Sequence, residues 1–211
     1  MKSSPNSAVI WRYVIKYDGG LAPHISGGLC SLALCKPRIR RYAKPGEWII
    51  AFVAKGKANG RPLIQYAMKV AENPSFENYC IQYGGKRRDA IYRYDLSPNG
   101  EWFDNGYGDH DPLENKKSEL RDKGGEHALI AAEFIHFGSE PRDLRLVLMP
   151  ACDALGIDVE TVVDCLMHWT QGHKKWCSRQ VYKVFTTWIE GLQKSKEPPP
   201  HHKPWPPVAG P

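Results

Sequence analysis

Four cations fall within the six positions Lys36-Pro37-Arg38-Ile39-Arg40-Arg41, and Pro37 can start a short helix whose amides favour anions. Guanidinium groups fork onto phosphate oxygens or stack on bases, so Arg38, Arg40 and Arg41, with Lys36, are candidate phosphate ligands. The alternative is a solvated basic turn, the common fate of short cationic clusters. Upstream, Tyr17-Asp18-Gly19-Gly20 and Ala22-Pro23-His24 put a carboxylate and an imidazole in a turn-rich stretch. Asp18 can accept a hydrogen bond from a base amino group or a sugar hydroxyl, or it can close an Asx turn on its own downstream amides. A second basic corner lies at Gln171-Gly172-His173-Lys174-Lys175, where His173 titrates near neutrality and Lys174 adds a charge. That corner can hold phosphate or move a proton, or Gly172 can simply cap a helix. If the chain catalyses a reaction, Asp18, His24 and His173 are the candidate acid–base groups.

Other residue types carry weaker chemistry. Cys30 and Cys35 sit among small and aliphatic neighbours, where a cysteine is expected to be a buried hydrophobe rather than a nucleophile. No paired close spacing of Cys and His marks a zinc site, and Asp104, Asp109, His110 and Asp111 read as a solvated loop before a cation site. No metal and no cofactor is therefore expected. Seven Trp and ten Tyr make base stacking available, with Trp48, Tyr66 and Phe137 as the candidates, although aromatics at strand positions are usually core.

These groups need a scaffold. Residues Trp11 to Tyr17 and Trp48 to Val53 are rich in β-branched and aromatic side chains and predict two strands flanking the loop from Asp18 to Arg41. Leu63 to Ala71 predicts a third strand after a Gly, Lys and Asn turn, which suggests a meander. Ser75 to Gln82 reads as a short helix or irregular segment. Residues 84 to 127 form a glycine- and charge-rich insertion with strand character only at Ala90 to Leu96 and Glu101 to Phe103, and Ala128 to Phe137 reads as one strand. From Pro150 the period changes to helical, with Leu155, Val159, Val162, Val163, Leu166 and Trp169, then Val181, Val184, Phe185, Trp188 and Leu192, predicting two amphipathic helices. The expected fold is α+β, a curved and mostly antiparallel sheet packed by two C-terminal helices; the Lys44-Pro45-Gly46-Glu47-Trp48-Ile49-Ile50 entry into a strand resembles that of PUA-like domains, a likeness that implies a small pseudo-barrel as the other expected form.

A length of 211 residues permits one sizeable core, and a single domain over residues 8 to 194 is expected, followed by a proline-rich extended tail over 195 to 211. Such a tail can dock an aromatic groove on a protein partner. A net charge of +6 tolerates an acidic partner without reaching the level of proteins that coat DNA. No apolar run approaches the roughly 18 residues needed to span a bilayer, so no membrane association is expected. The six cysteines form no CxxC pair and follow no secretory signal, which points to a reduced cytoplasm.

The ordered segments Tyr17-Asp18-Gly19-Gly20-Leu21-Ala22-Pro23, Gly28 to Arg41 and Gly46-Glu47-Trp48-Ile49-Ile50 resemble the start of the nucleotide modification associated domain family of bacteria and phages. Phe134-Ile135-His136-Phe137-Gly138 and Gln171-Gly172-His173-Lys174 also resemble family features, extending the likeness over residues 10 to 192. The resemblance implies association with systems that install, read or process modified bases in DNA. On that basis the expected ligand is a nucleotide or nucleic acid, held by Tyr17, Asp18, Lys36, Arg38, Arg40, Arg41, Trp48, His173 and Lys174. The alternative is a transferase or hydrolase acting on modified nucleotides.

Overall fold

The computed structural model describes residues 9–15, 20–84, 86–94, 98, 101–102, 116–167, 174–175 and 178–194. The chain resolves into two compact units, the first formed by residues 1–17, 47–67 and 135–203, the second by 18–46, 68–134 and 204–211. Each is described by itself.

The first unit holds most of a six-stranded sheet. Its centre is β1 (Ile10–Ile15) paired in parallel with β4 (Trp48–Val53), in register Ile10 opposite Trp48 through Ile15 opposite Val53. Parallel neighbours require a long crossover, and the chain between them supplies one by building part of the second unit. β5 (Leu63–Lys69) lies on the other side of β4, the two-residue strands β10 (Arg142–Asp143) and β11 (Lys174–Lys175) close the two ends, and β9 (Glu133–His136) also pairs with β5. All six residues of β4 are buried, as expected of a central strand with neighbours on both sides.

Three helices follow: α4 (Leu144–Leu155), α5 (Val159–Leu166) and α6 (Arg179–Lys194). Their starts are written locally. The Asp143 carboxylate accepts from Arg145 N at 3.0 Å, Asp158 from Thr161 N at 2.8 Å, and Ser178 Oγ from Val181 N at 3.2 Å. Gly156 ends α4 in the left-handed region at φ 62°. Their apolar faces, with Leu148, Val162, Val163, Val184 and Phe185, close over Ile10, Trp48, Ile50 and Phe52. The helical region is thus three helices rather than the expected two, and it begins before Pro150, which lies inside α4. Proline removes the hydrogen bond to the carbonyl of Leu146, but Leu146 is 67% exposed, so water can take that carbonyl.

The second unit carries a three-stranded antiparallel sheet of β2 (His24–Ser26), β3 (Leu29–Leu32) and β8 (Leu129–Ala131). Gly27 and Gly28 join β2 to β3 with φ of 58° and 74°, the positive pair that a tight hairpin turn demands. Helices α1 (Pro37–Tyr42), α2 (Phe76–Tyr83) and α3 (Lys116–Lys123) and the small ribbon β6 (Tyr92–Arg93) with β7 (Glu101–Trp102) complete it. Phe76, Tyr79, Cys80, Ile91 and Tyr92 pack with Leu34 and Ile130 as its core.

The fold is therefore α+β, and its sheets are open: among the described strands none closes into the barrel expected from sequence. The stretch read as one strand from Ala128 to Phe137 is two, β8 bonded to β3 and β9 bonded to β5, because the chain leaves one sheet for the other at Ala132.

Candidate functional site

The basic run lies on α1 in the second unit, and its side chains have different fates. Cys35 and Lys36 enter the helix in left-handed conformations, φ 55° and 44°, a costly geometry for residues with a Cβ. The Asp122 carboxylate holds that kink by accepting from Cys35 N at 2.7 Å. Arg40 is completely buried, stacks 4.9 Å over the Phe76 ring and donates from NH2 to the main-chain carbonyl of Asp122. Burial pulls its guanidinium down to about 10, opposed by the Asp122 charge, so it stays cationic at neutral pH. Arg41 donates to the Gly124 carbonyl at 2.7 Å and pairs with Glu126 at 2.7 Å. Two of the three arginines expected to hold phosphate thus fasten the 122–126 segment, and Arg38 remains exposed.

A denser polar cluster joins Ser31, inside the expected loop, to Tyr79, Arg87 and Asp89 far along the chain. Asp89, fully buried, accepts from Ser31 Oγ at 2.5 Å through one oxygen and from Tyr79 OH at 2.7 Å through the other. Arg87, 8% exposed, donates through Nε to the Tyr79 oxygen at 3.0 Å and through NH2 to Ser31 Oγ at 2.9 Å. Its remaining donors reach the carbonyls of His24 at 3.1 Å and Ser26 at 2.9 Å, so one guanidinium pins the β2–β3 hairpin to a buried carboxylate. Desolvation, reinforced by the Asp89 charge, pushes the Tyr79 phenol well above its ordinary value, and Tyr79 serves as a neutral donor.

His24 stands at the edge of this cluster. Its Nδ1 is bonded to the Gly20 carbonyl at 2.9 Å, which assigns that nitrogen the proton and leaves Nε2 as the acceptor. Burial lowers its pKa, offset in part by Asp89, while Arg87 and Arg88 act on it in the same direction as burial. The ring is neutral at pH 7 and feels the charges of two guanidinium groups and a carboxylate.

The remaining expected residues are distributed as follows. Trp48 is core, 5.2 Å from the Phe185 ring, and Phe137 belongs to the same cluster. Tyr66 is fully buried, its hydroxyl 2.5 Å from that of Tyr13 and its ring 6.1 Å from His136. Lys174 lies in β11 opposite Arg12 in the first unit. Tyr17, Asp18, His173, the acidic loop with Asp104, Asp109, His110 and Asp111, and the 195–211 tail fall outside the described residues. Cys30 is buried against Met68, Sγ to Sδ 3.8 Å, and burial raises the Cys35 thiol, so neither is poised as a nucleophile. Among the described residues no group of three or more His, Cys, Asp and Glu side chains is arranged to hold a metal, and no helix is long and apolar enough to cross a membrane.

Sequence reasoning did not single out Ser31, Tyr79, Arg87, Asp89 or Asp122. The one signal was Lys86-Arg87-Arg88-Asp89 directly against the apolar Ala90-Ile91-Tyr92, a charge run placed where burial begins.

An α+β protein with a buried Arg–Asp–Ser–Tyr network beside a neutral histidine defines the class. Residues 7–205 match the family model nucleotide modification associated domain 2, and the chain belongs to that family. No curated protein and no solved structure matches the chain.

Proposed function

We propose that this chain binds a nucleotide, or a modified base within nucleic acid, as a module working alongside DNA base modification. The family it belongs to is named for an association with nucleotide modification. The observation that carries the reading is His24: a buried, neutral imidazole fixed through Nδ1 to Gly20, within electrostatic reach of Arg87, Arg88 and Asp89. An acceptor nitrogen beside a guanidinium is the pairing that a base edge or a phosphate oxygen needs. Arg38, Tyr17 and Asp18 are further candidate contacts, His173 and Lys174 are a separate basic corner, and the reading uses no cofactor and no metal. The same setting includes a reduced cytoplasm and a protein partner for the proline-rich tail.

A specific feature favours a second reading. Neutral His24 is also what a general base requires, so the alternative is a transferase or hydrolase acting on modified nucleotides.

The test is a thermal-shift screen of the protein against canonical and modified nucleotides and short duplexes, with His24→Gln, Arg88→Ala and Asp18→Ala. A ligand that binds the native state raises its melting temperature, and that rise is expected to vanish in the first two variants. Unchanged ligand shifts in both would sink this site. Turnover of whichever ligand binds separates reader from enzyme.

A further inference from the structure

The β4–β5 connection, Lys55-Gly56-Lys57-Ala58-Asn59-Gly60-Arg61, holds three cations and no acid.

This connection is a built element. Lys57 N and Ala58 N both donate to the Ala54 carbonyl, at 2.9 and 3.0 Å, Gly60 N donates to Lys55 O at 3.1 Å, and Arg61 N to Ala58 O at 2.9 Å. Asn59 and Gly60 turn the chain with φ of 48° and 78°. Ala58 is the anchor, 1% exposed and packed with Val53 and Leu63, while Lys55, Lys57 and Arg61 are exposed. The neighbouring strand adds a fourth cation: Arg142 pairs opposite Ile64, and Leu144 N donates to Pro62 O at 2.8 Å, which ties that strand to the end of the turn. The acid on this strand, Asp143, is committed to Arg145 N, and Glu140 approaches Arg142 only to 3.9 Å. A turn held by its own backbone loses little entropy when its cations meet a ligand, which a loose lysine loop does not offer.

We infer that Lys55, Lys57, Arg61 and Arg142 form a contact surface for the phosphate backbone of duplex DNA. The inference rests on the reading that the protein acts on nucleic acid, and it places backbone contacts in the first unit. Backbone contacts of this kind position a protein on a duplex without reading its sequence.

The experiment measures duplex binding against salt for the wild type and for Lys55→Ala/Lys57→Ala/Arg61→Ala, with free-nucleotide binding followed in parallel. Each lost phosphate contact removes about 0.9 from the slope of log affinity against log salt, so the triple variant is expected to lose about two to three units of slope. Its melting temperature and its nucleotide binding should be unchanged. An unchanged slope, or a wild type that does not bind duplex even at low salt, overturns the inference. A nucleotide shift that persists in those cases leaves the His24 site standing. Conversely, duplex binding with the expected slope change but no nucleotide shift removes free-nucleotide binding at the His24 site and keeps this surface.

Discussion

A Cβ placed on Gly125 would fall inside the buried guanidinium of Arg40. The glycine is there for space rather than for conformation, and it lies in the segment that Arg40 and Arg41 hold against α1. Gly125→Ala should therefore cost about 1–3 kcal/mol, the usual range for overpacking a filled interior. Combining it with Arg40→Ala should cost less than the sum of the two, since each relieves the other's clash or void. Urea denaturation of the two single variants and the double variant checks this, and strict additivity would contradict it.

Asp89 is a buried charge whose partners are Ser31, Tyr79 and Arg87. Removing one side of such a pair strands the other, so Asp89→Ala should cost about 3–5 kcal/mol, and Ser31→Ala a smaller ~1–3 kcal/mol. The β2–β3 hairpin should loosen first, because Arg87 bonds its carbonyls. Amide exchange over residues 24–32 reads that directly, and uniform exchange across the chain would contradict it.

Burial lowers the His24 pKa below its ordinary 6.5. The unfolded ring therefore takes up a proton at a higher pH than the folded one, and stability present above about pH 6.5 is lost as the pH falls toward the folded value. Calorimetric melting between about pH 7.5 and about pH 5.5 should show a decline that is shallower in His24→Gln. Parallel curves for the two proteins would show that His24 is not desolvated.

Burial pushes the Cys80 thiol up to about 12 and raises those of Cys35 and Cys152. At about pH 8 only a minute fraction of such a thiol is thiolate, roughly one in ten thousand for Cys80. These three, with the fully buried Cys30, should resist iodoacetamide in the native protein and react once it is unfolded, as read by peptide mass spectrometry. Rapid native labelling of Cys35 would reopen a nucleophilic role for it.

Much of the fold was legible locally. β1, β4 and β5 emerge within one or two residues of the β-branched and aromatic runs that predict them, and α5 and α6 follow their helical spacing. Pro37 does start a helix. The parallel pairing of β1 with β4 was not legible, because nothing in either strand says which neighbour it takes once the chain between them folds elsewhere. α3 was missed as well, since its polar sequence carries no apolar period to read.

The candidate site divides along the same line. The residue types on offer can be read from the chain: a basic run after Cys35, a histidine following a glycine-rich turn, a charge run before an apolar strand, and segments in the order that marks the family. Tertiary structure decided what each one does. Arg40 is a buried strut because its acceptor, Asp122, lies 82 positions along the chain, and Arg87 is a clamp because Asp89 and the hairpin carbonyls surround it. Charge and hydrogen-bonding capacity are properties of a residue, whereas desolvation and partnership depend on what the fold brings within about 3 Å of it.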